Sequence, residues 1–246
     1  DGVWTLQDAT DFNGTVTISG GTLAQGNTTL NIAGDLRIGL GAAFTKSSNS
    51  SLLTLDGDLF LEDEQTVNLG NVAISGAPDN TVTLSGALQV DTLRIGTGDT
   101  LVLSGYNLFI GTGGLHLHGH LDAADTNSIS VITISGSWLQ SGTGDFISGR
   151  STVVFDGTSG SHQISSSGSF YNLVFSGTGG TWTASGDSMD VNGSFSLSAG
   201  TLTAPDTLNL SGSFLNGASG TFTHNSGAVI FDGNAHTISG STAFYD

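Results

Sequence analysis

Three histidines lie close together in the segment GLHLHGHLD, residues 114–122. His116, His118 and His120 occupy alternate positions, and Asp122 continues the same spacing. In a β-strand, alternate side chains project from one face, with neighbours about 6.6 Å apart. Imidazole and carboxylate groups in such an arrangement bind Zn²⁺, Cu²⁺ or Ni²⁺. The spacing therefore predicts a metal site, and an exposed polar strand face is the alternative interpretation.

An acidic cluster is formed by Glu62, Asp63 and Glu64. Carboxylate oxygens are the ligands that Ca²⁺ prefers, so a calcium site shared with an adjacent loop is one hypothesis. We favour a solvated loop between strands, because side chains of this kind are seldom buried unless they are paired.

Three Asp-Gly pairs recur along the chain, at Asp56-Gly57, Asp156-Gly157 and Asp232-Gly233. Aspartate caps its own turn, and glycine adopts a positive φ without steric cost. The pairs therefore predict turns, and their recurrence indicates a structural role.

The motifs of the common catalytic classes are missing. The sequence contains no G-x-S-x-G elbow, no P-loop, no H-E-x-x-H segment and no cysteine nucleophile. Its basic residues are scattered, at Arg37, Lys46, Arg94 and Arg150. We predict that the protein is not an enzyme. The alternative is a polysaccharide-binding or polysaccharide-cleaving β-helix, because stacked aspartates can supply the carboxylate pair of a glycosidase.

Hydroxyl and aromatic side chains suggest two further kinds of binding surface. Thr-x-Thr phrases similar to those of ice-binding solenoids occur at Thr15/Thr17, Thr181/Thr183 and Thr201/Thr203. They do not recur regularly along the chain, so a flat ice-matching array is not expected. Trp4, Trp138 and Trp182 could stack on sugars. Trp4 and Trp182 stand at equivalent places of a sequence repeat, which favours packing in the core instead.

One phrase, apolar–polar alternation interrupted by glycine, organises all of these residues. It reads LNIAGDLRI at 30–38, LTLDGDLFL at 53–61, ITISGSWLQ at 132–140 and LNLSGSFLN at 208–216. A period of two puts one side of each strand inside and the other in water. A central glycine recurs roughly every 22 residues, within the usual range of solenoid repeats. Sandwich domains are larger than this period.

A longer repeat is superimposed on the short one. Residues 134–157 match residues 210–233 with a constant shift of 76 positions, so that Trp138 corresponds to Phe214 and Phe155 to Phe231. If equivalent positions form ladders, Phe155 stacks inward with Phe231. The chain then divides into three super-repeats, approximately 1–90, 91–170 and 171–246, within one solenoid spanning 1–246.

Composition limits the partners. The formal net charge is −17, with only 4 Lys plus Arg, so long-range repulsion argues against nucleic acid and anionic membranes. No apolar run is long enough for a transmembrane helix, so we expect no membrane insertion. Cysteine is absent. Few lysines and many hydroxyl and amide residues are typical of extracellular bacterial proteins.

These patterns predict an all-β fold, a right-handed parallel β-helix (β-solenoid) of about 10–11 rungs of roughly 22 residues. The phrases VVFDGTSGSHQI, FYNLVFSGTGGTWTASG and VIFDGNAHTISG resemble those of repeat-rich β-solenoid proteins of bacterial cell surfaces. These are the filamentous-haemagglutinin-like and autotransporter-like adhesins and other giant β-strand-repeat proteins. The resemblance implies an extracellular, cell-surface location and a structural or adhesive role in a long filament, with cell-surface polysaccharide as a further partner.

The two ends of the sequence lie within the repeat pattern. Trp4 follows a Gly-Val pair as Trp182 follows Gly-Thr, and Phe244-Tyr245 corresponds to Phe170-Tyr171. We expect no capping segment and expect the chain to be a piece of a longer precursor. The sequence therefore predicts end-to-end continuation with neighbouring copies, covalently or by association, with Trp4, Phe244 and Tyr245 at the junction.

Overall fold

The computed structural model describes residues 2–46 and 51–245, and its regular secondary structure consists of short β-strands. In chain order the strands are β1 Val3–Thr5, β2 Thr10–Phe12, β3 Val16–Ile18, β4 Gly21–Ala24, β5 Leu30–Ile32, β6 Leu36–Ile38, β7 Ala42–Thr45, β8 Leu52–Leu55, β9 Leu59–Asp63, β10 Asn71–Ile74, β11 Thr81–Leu84, β12 Leu88–Ile95, β13 Thr100–Val102, β14 Leu108–Leu117, β15 His120–Asp122, β16 Val131–Ile134, β17 Trp138–Gln140, β18 Asp145–Ile147, β19 Thr152–Phe155, β20 Ser161–Ser165, β21 Ser169–Phe170, β22 Asn172–Phe175, β23 Thr181–Ser185, β24 Ser188–Val191, β25 Phe195–Thr203, β26 Thr207–Leu210, β27 Phe214–Thr223, β28 Ala228–Phe231 and β29 Ile238–Ser239. Among these residues no helix is long and apolar enough to cross a bilayer.

The strands coil into a β-solenoid with three faces. The first face contains β1, β4, β7, β16, β19, β22, β29 and the first halves of β12, β14, β25 and β27. The second contains β2, β5, β8, β10, β17, β20, β23 and the second halves of those four long strands. The third contains β3, β6, β9, β11, β13, β15, β18, β21, β24, β26 and β28.

Alternation of apolar and polar residues explains each rung. In β5, Leu30 and Ile32 are fully buried while Asn31 between them reaches the surface. Leu30 lies in parallel register with Leu53 of the next rung, so like residues stack along the axis. Parallel strands stack at a spacing of about 21 residues over about 11 turns, which confirms the predicted parallel β-solenoid. Its right-handed sense stays a prediction.

The core is a column of apolar side chains that becomes aromatic towards the C-terminus. Phe155 and Phe175 stack with ring centroids 5.2 Å apart, and Phe195 and Phe214 repeat that distance. Trp138 and Trp182 are fully buried, which confirms that these two rings pack in the core. Each rung contributes only a few buried side chains, such as Leu30, Ile32, Leu36 and Ile38, so truncating one of them leaves a cavity.

The expected stacking of Phe155 on Phe231 is wrong. Phe155 lies on the first face and pairs in register with Phe175, whereas Phe231 lies on the third face beside Leu210. A shift of 76 residues is not a whole number of turns at about 21 residues per turn. Successive copies of the sequence repeat are therefore rotated about the axis onto different faces.

The Asp-Gly pairs serve packing between rungs, and the positive φ predicted for their glycines is wrong. Positive φ values occur at other glycines, such as Gly105 at 81°. A Cβ on Gly57 would lie 2.0 Å from the carbonyl oxygen of Ala33 in the preceding rung. Two of the aspartates also bond between rungs: the Ser135 hydroxyl donates to Asp156 at 2.7 Å and the Ser211 hydroxyl to Asp232 at 2.8 Å. The close approach of neighbouring backbones thus explains why glycine recurs at this place in the repeat.

Candidate functional site

The predicted histidine face is divided by a corner of the solenoid. His116 lies in the second-face part of β14, His118 lies in the turn, and His120 begins β15 on the third face. The prediction that three imidazoles and Asp122 project from one face of a single strand is therefore wrong. No group of three or more His, Cys, Asp or Glu side chains in residues 2–46 and 51–245 is placed to hold a metal ion.

The surroundings of His116 oppose a cation. Arg94 is its neighbour in register on the adjacent rung, and both line a surface cavity of about 400 Å³ together with His118. Burial lowers the pKa of His116, and the nearby Arg94 and His118 lower it further, while a hydrogen bond from its imidazole to the backbone of Gly113 opposes the change. A divalent ion here would meet the guanidinium charge, so the metal hypothesis loses the geometry on which it depended.

The three acidic side chains at 62–64 point to separate partners. Glu62 lies 3.9 Å from Arg37, and Glu64 accepts a hydrogen bond from the Leu40 N–H at 2.8 Å. Asp63 is 3% exposed and its carboxylate accepts the N–H groups of the turn that follows it. Burial raises the pKa of Asp63, and those hydrogen bonds oppose the rise. These contacts give the cluster a structural role, but the expected solvated loop is wrong, because Glu62 and Asp63 lie in β9 and Asp63 is buried.

A groove of about 460 Å³ crosses the corner between the first and second faces. Half-buried Phe109 lies within it, in register with Gln89 on one side and Thr133 on the other. Asp91 and Asp156 also line the groove. An apolar ring flanked by amide, hydroxyl and carboxylate groups is a common composition for a ligand site.

Several polar groups of the groove are available to a ligand. The Asn68 amide donates to one carboxylate oxygen of Asp91 at 2.8 Å, and Ser135 occupies one oxygen of Asp156. Within the described part of the chain, the side chains of Gln89 and Thr133 make no hydrogen bond. The groove therefore combines fixed carboxylates with uncommitted donors and acceptors.

Sequence reasoning missed this groove. Gln89 and Asp91 belong to one rung and Phe109 to the next, and the sequence does not show that they meet. The outward position of Phe109 is readable from the alternation in LFI, where Leu108 and Ile110 are buried. What the alternation does not show is which outward residues of neighbouring rungs meet.

Some of the Thr-x-Thr phrases lie side by side in the structure, and one lies on another face. Thr17 lies on the third face beside Arg37, away from the others. Thr181 and Thr183 pair in register with Thr201 and Thr203. These pair in turn with Thr221 and Thr223, a third phrase that was not among those predicted from the sequence. The structure thus places three such phrases on consecutive rungs of the second face.

The N-terminal rung exposes a ring that is buried elsewhere. Trp4 is 58% exposed, whereas its sequence equivalent Trp182 is 0% exposed. The two indoles have similar packing on one side, because Trp4 lies close to Gly21 of the next rung and Trp182 lies close to Gly200. Trp182 is also covered from the preceding rung by His162, with ring centroids 6.0 Å apart. Trp4 therefore resembles a core residue with one side open.

The C-terminal end is partly covered by Phe244. Its ring packs on Phe214 and Phe222, at centroid distances of 5.5 Å and 6.0 Å. Tyr245 stays 57% exposed beside His224. Of the predicted junction residues, Trp4 and Tyr245 are thus exposed, while Phe244 already packs against its own chain.

Neither a protein-family model, nor a curated protein, nor a solved structure matches this chain.

Proposed function

We propose that this chain is an extracellular, non-catalytic β-solenoid that serves as a structural or adhesive element of a long cell-surface filament. The observation that supports the proposal is the parallel stack of about 11 turns, whose second-face ladder is continuous from β2 to β27. With rungs about 4.8 Å apart, that stack extends roughly 50 Å along its axis. The repeat style of the bacterial surface adhesins supports the same role.

The direction of the backbone hydrogen bonds suits a load-bearing rod. Each rung bonds to the next along the axis, as where the N–H of Asp56 donates to Ile32 at 3.0 Å. An axial pull is therefore carried by the continuous second-face ladder and by the ladders of the other two faces, of which the third-face ladder breaks between β18 and β21. The lateral surface presents side chains, which leaves it free to vary for adhesion.

Charge and end surfaces are consistent with this role. A net charge of −17 keeps neighbouring solenoids apart laterally and argues against nucleic acid as a partner. The open ring of Trp4 suits cover by another rung, in the way that His162 covers Trp182. We propose that neighbouring copies, or further repeats of a longer chain, provide that rung end to end.

The groove around Phe109 favours a second candidate function, the binding of cell-surface polysaccharide. The lateral ladders of a solenoid leave few unpaired backbone groups for a peptide strand, so recognition depends on side chains. Sugar rings match this chemistry, since their apolar faces stack on an aromatic ring and their hydroxyls bond to amides and carboxylates.

One screen tests both candidates. The chain is incubated with neutral and acidic polysaccharides, and both released products and retardation in polysaccharide-containing gels are measured. We expect no product; release of oligosaccharides that is lost in Asp91→Asn would overturn the non-catalytic proposal.

For the groove, Phe109→Ala should weaken any retardation about tenfold, the equivalent of about 1.4 kcal/mol. The matched control is Phe60→Ala, because Phe60 is 55% exposed on the third face, outside the groove. Equal losses in both variants, or retardation that Phe109→Ala leaves intact, would argue against the groove as the binding site.

A further inference from the structure

We propose that the second face carries an ice-binding surface near the C-terminal end of the solenoid. The surface, named here the threonine face, consists of Thr181, Thr183, Thr201, Thr203, Thr221 and Thr223. The proposal goes beyond the structural role and does not depend on it.

Register makes the threonine face a regular two-column array. Thr181, Thr201 and Thr221 form one column, and the residues two positions later form the other. The pairing of β25 with β27 shifts register only before Ala199, so no bulge interrupts the array. Hydroxyls then repeat about 4.8 Å apart between rungs and about 6.6 Å apart along each strand. Ice is a periodic lattice of water oxygens, and a matching surface must itself be periodic in two directions.

The array is rigid before it meets its ligand. The residues that alternate with the threonines point inward, and Trp182 and Leu202 are fully buried. Threonine is β-branched, so its χ1 angle has few choices on a packed strand. Little side-chain entropy is therefore lost when the face orders water against itself.

The chemistry of the face suits water. β23, β25 and β27 contain no Asp, Glu, Lys or Arg, in a chain that has 21 acidic residues. The Thr181 hydroxyl donates to the Gly160 carbonyl at 2.9 Å, which fixes its orientation. Across residues 2–46 and 51–245, the hydroxyls of the other five threonines have no protein partner. Each threonine thus offers water a hydroxyl to bond and a methyl group around which a hydration shell is ordered.

Ice fits this face better than a polysaccharide does. No aromatic ring projects outward from the array, because Trp182 and Phe222 belong to the inward set. Amides and carboxylates that would bind sugar hydroxyls are also missing from the second-face parts of β23, β25 and β27. A flat surface of hydroxyls and methyls discriminates by spacing, and spacing is what distinguishes ice from liquid water.

The test measures the gap between freezing and melting points of a single ice crystal in a solution of the 246-residue chain. We expect a gap and faceted crystals. Thr203→Tyr should abolish both, because a large ring on the middle rung holds ice away from its neighbours. The matched control, Thr83→Tyr, alters a third-face Thr-x-Thr whose neighbours in register are Phe60 and Val102, and it should keep the gap.

Circular dichroism and melting temperature establish that both variants are folded. The absence of any gap in the unaltered chain overturns the proposal without reference to a variant. So does a gap that Thr203→Tyr leaves unchanged, or one that both variants lose equally. Binding to microcrystalline cellulose that Thr203→Tyr abolishes, with no freezing gap, would make the face a polysaccharide surface and would also overturn it.

Discussion

Single polar side chains close the corners of this solenoid. Gln25 is fully buried and its amide donates to the carbonyls of Thr28 and Leu52, at 2.8 Å and 2.7 Å. One rung later Lys46 takes the corresponding place. Its ammonium donates to the carbonyls of Ser51 and Asn71 at 3.1 Å and 3.0 Å. Because Lys46 carries a titratable charge where Gln25 carries a neutral amide, the free energy of unfolding should depend on pH.

Burial lowers the pKa of Lys46 from its ordinary value of 10.5 to about 8, although nearby Asp91 opposes the change. Between these two values the unfolded chain binds more protons than the folded one, so the contribution of Lys46 to the free energy of unfolding rises with pH. Below the lower value, Lys46 is charged in both states and its burial cost is fully present.

We expect Lys46→Gln to remove this rise, since Gln25 shows that an amide fits the corner. The measurement is urea unfolding from pH 7 to 10.5, the upper limit being the ordinary lysine value. Arg150→Gln, at an exposed position, is the control and should leave the slope as it is. An identical slope for Lys46→Gln and the unaltered chain would contradict the pKa change.

At the scale of the strand and its corner, glycine sets how closely rungs approach. A Cβ on Gly177 would lie 1.9 Å from the carbonyl oxygen of Gly157 in the preceding rung. That oxygen belongs to the backbone, so relief requires the rungs to separate. The hydrogen-bond ladders on either side fix the spacing of the rungs. The clash between the added Cβ and the Gly157 oxygen therefore cannot be relieved by a small local movement.

Gly177→Ala should therefore destabilise the fold by about 1–3 kcal/mol or more, the usual cost of overpacking. Gly20→Ala is the matched control, because a Cβ there meets nothing within 4 Å. Its effect should stay within about 0.5 kcal/mol. Chemical denaturation measures the stability of both variants. Equal denaturation midpoints would show that the backbone at this corner can shift to accommodate the added methyl group.

Over the whole molecule, the ends of the stack differ in kind from its sides. Lateral faces have their backbone bonds directed along the axis, while the N-terminal rung presents β1 and the open ring of Trp4. Strand edges of this kind associate with other strands unless they are protected. The proposed filament depends on this difference.

We expect the purified chain to associate end to end as its concentration rises, and Trp4→Glu to prevent this by placing a charge in the contact. Leu40→Glu is the control, since Leu40 is 77% exposed on the side of the solenoid. Sedimentation velocity over a range of concentrations distinguishes the variants. A single compact monomer at every concentration would argue against subunit association and leave covalent continuation as the form of the filament.

The sequence by itself determined the class of fold. Alternation with period two, as in LNIAGDLRI, depends only on neighbouring residues and separates inside from outside for Leu30 and Ile32. The glycine-marked period then specifies a short rung, and short rungs of parallel strands stack. Burial of Trp138 and Trp182 followed from the places of these residues in the longer sequence repeat.

Only the tertiary structure decided which residues meet. Face assignment depends on the summed length of every loop and strand before a residue, and an error of one corner moves it to another face. For that reason His116 and His120 were separated by a corner, while Gln89, Phe109 and Thr133 were brought together. The rotation of the 76-residue repeat has the same origin, because the repeat length and the turn length are set independently. The threonine face exists because its Thr-x-Thr phrases recur every 20 residues, which is one turn over these three rungs.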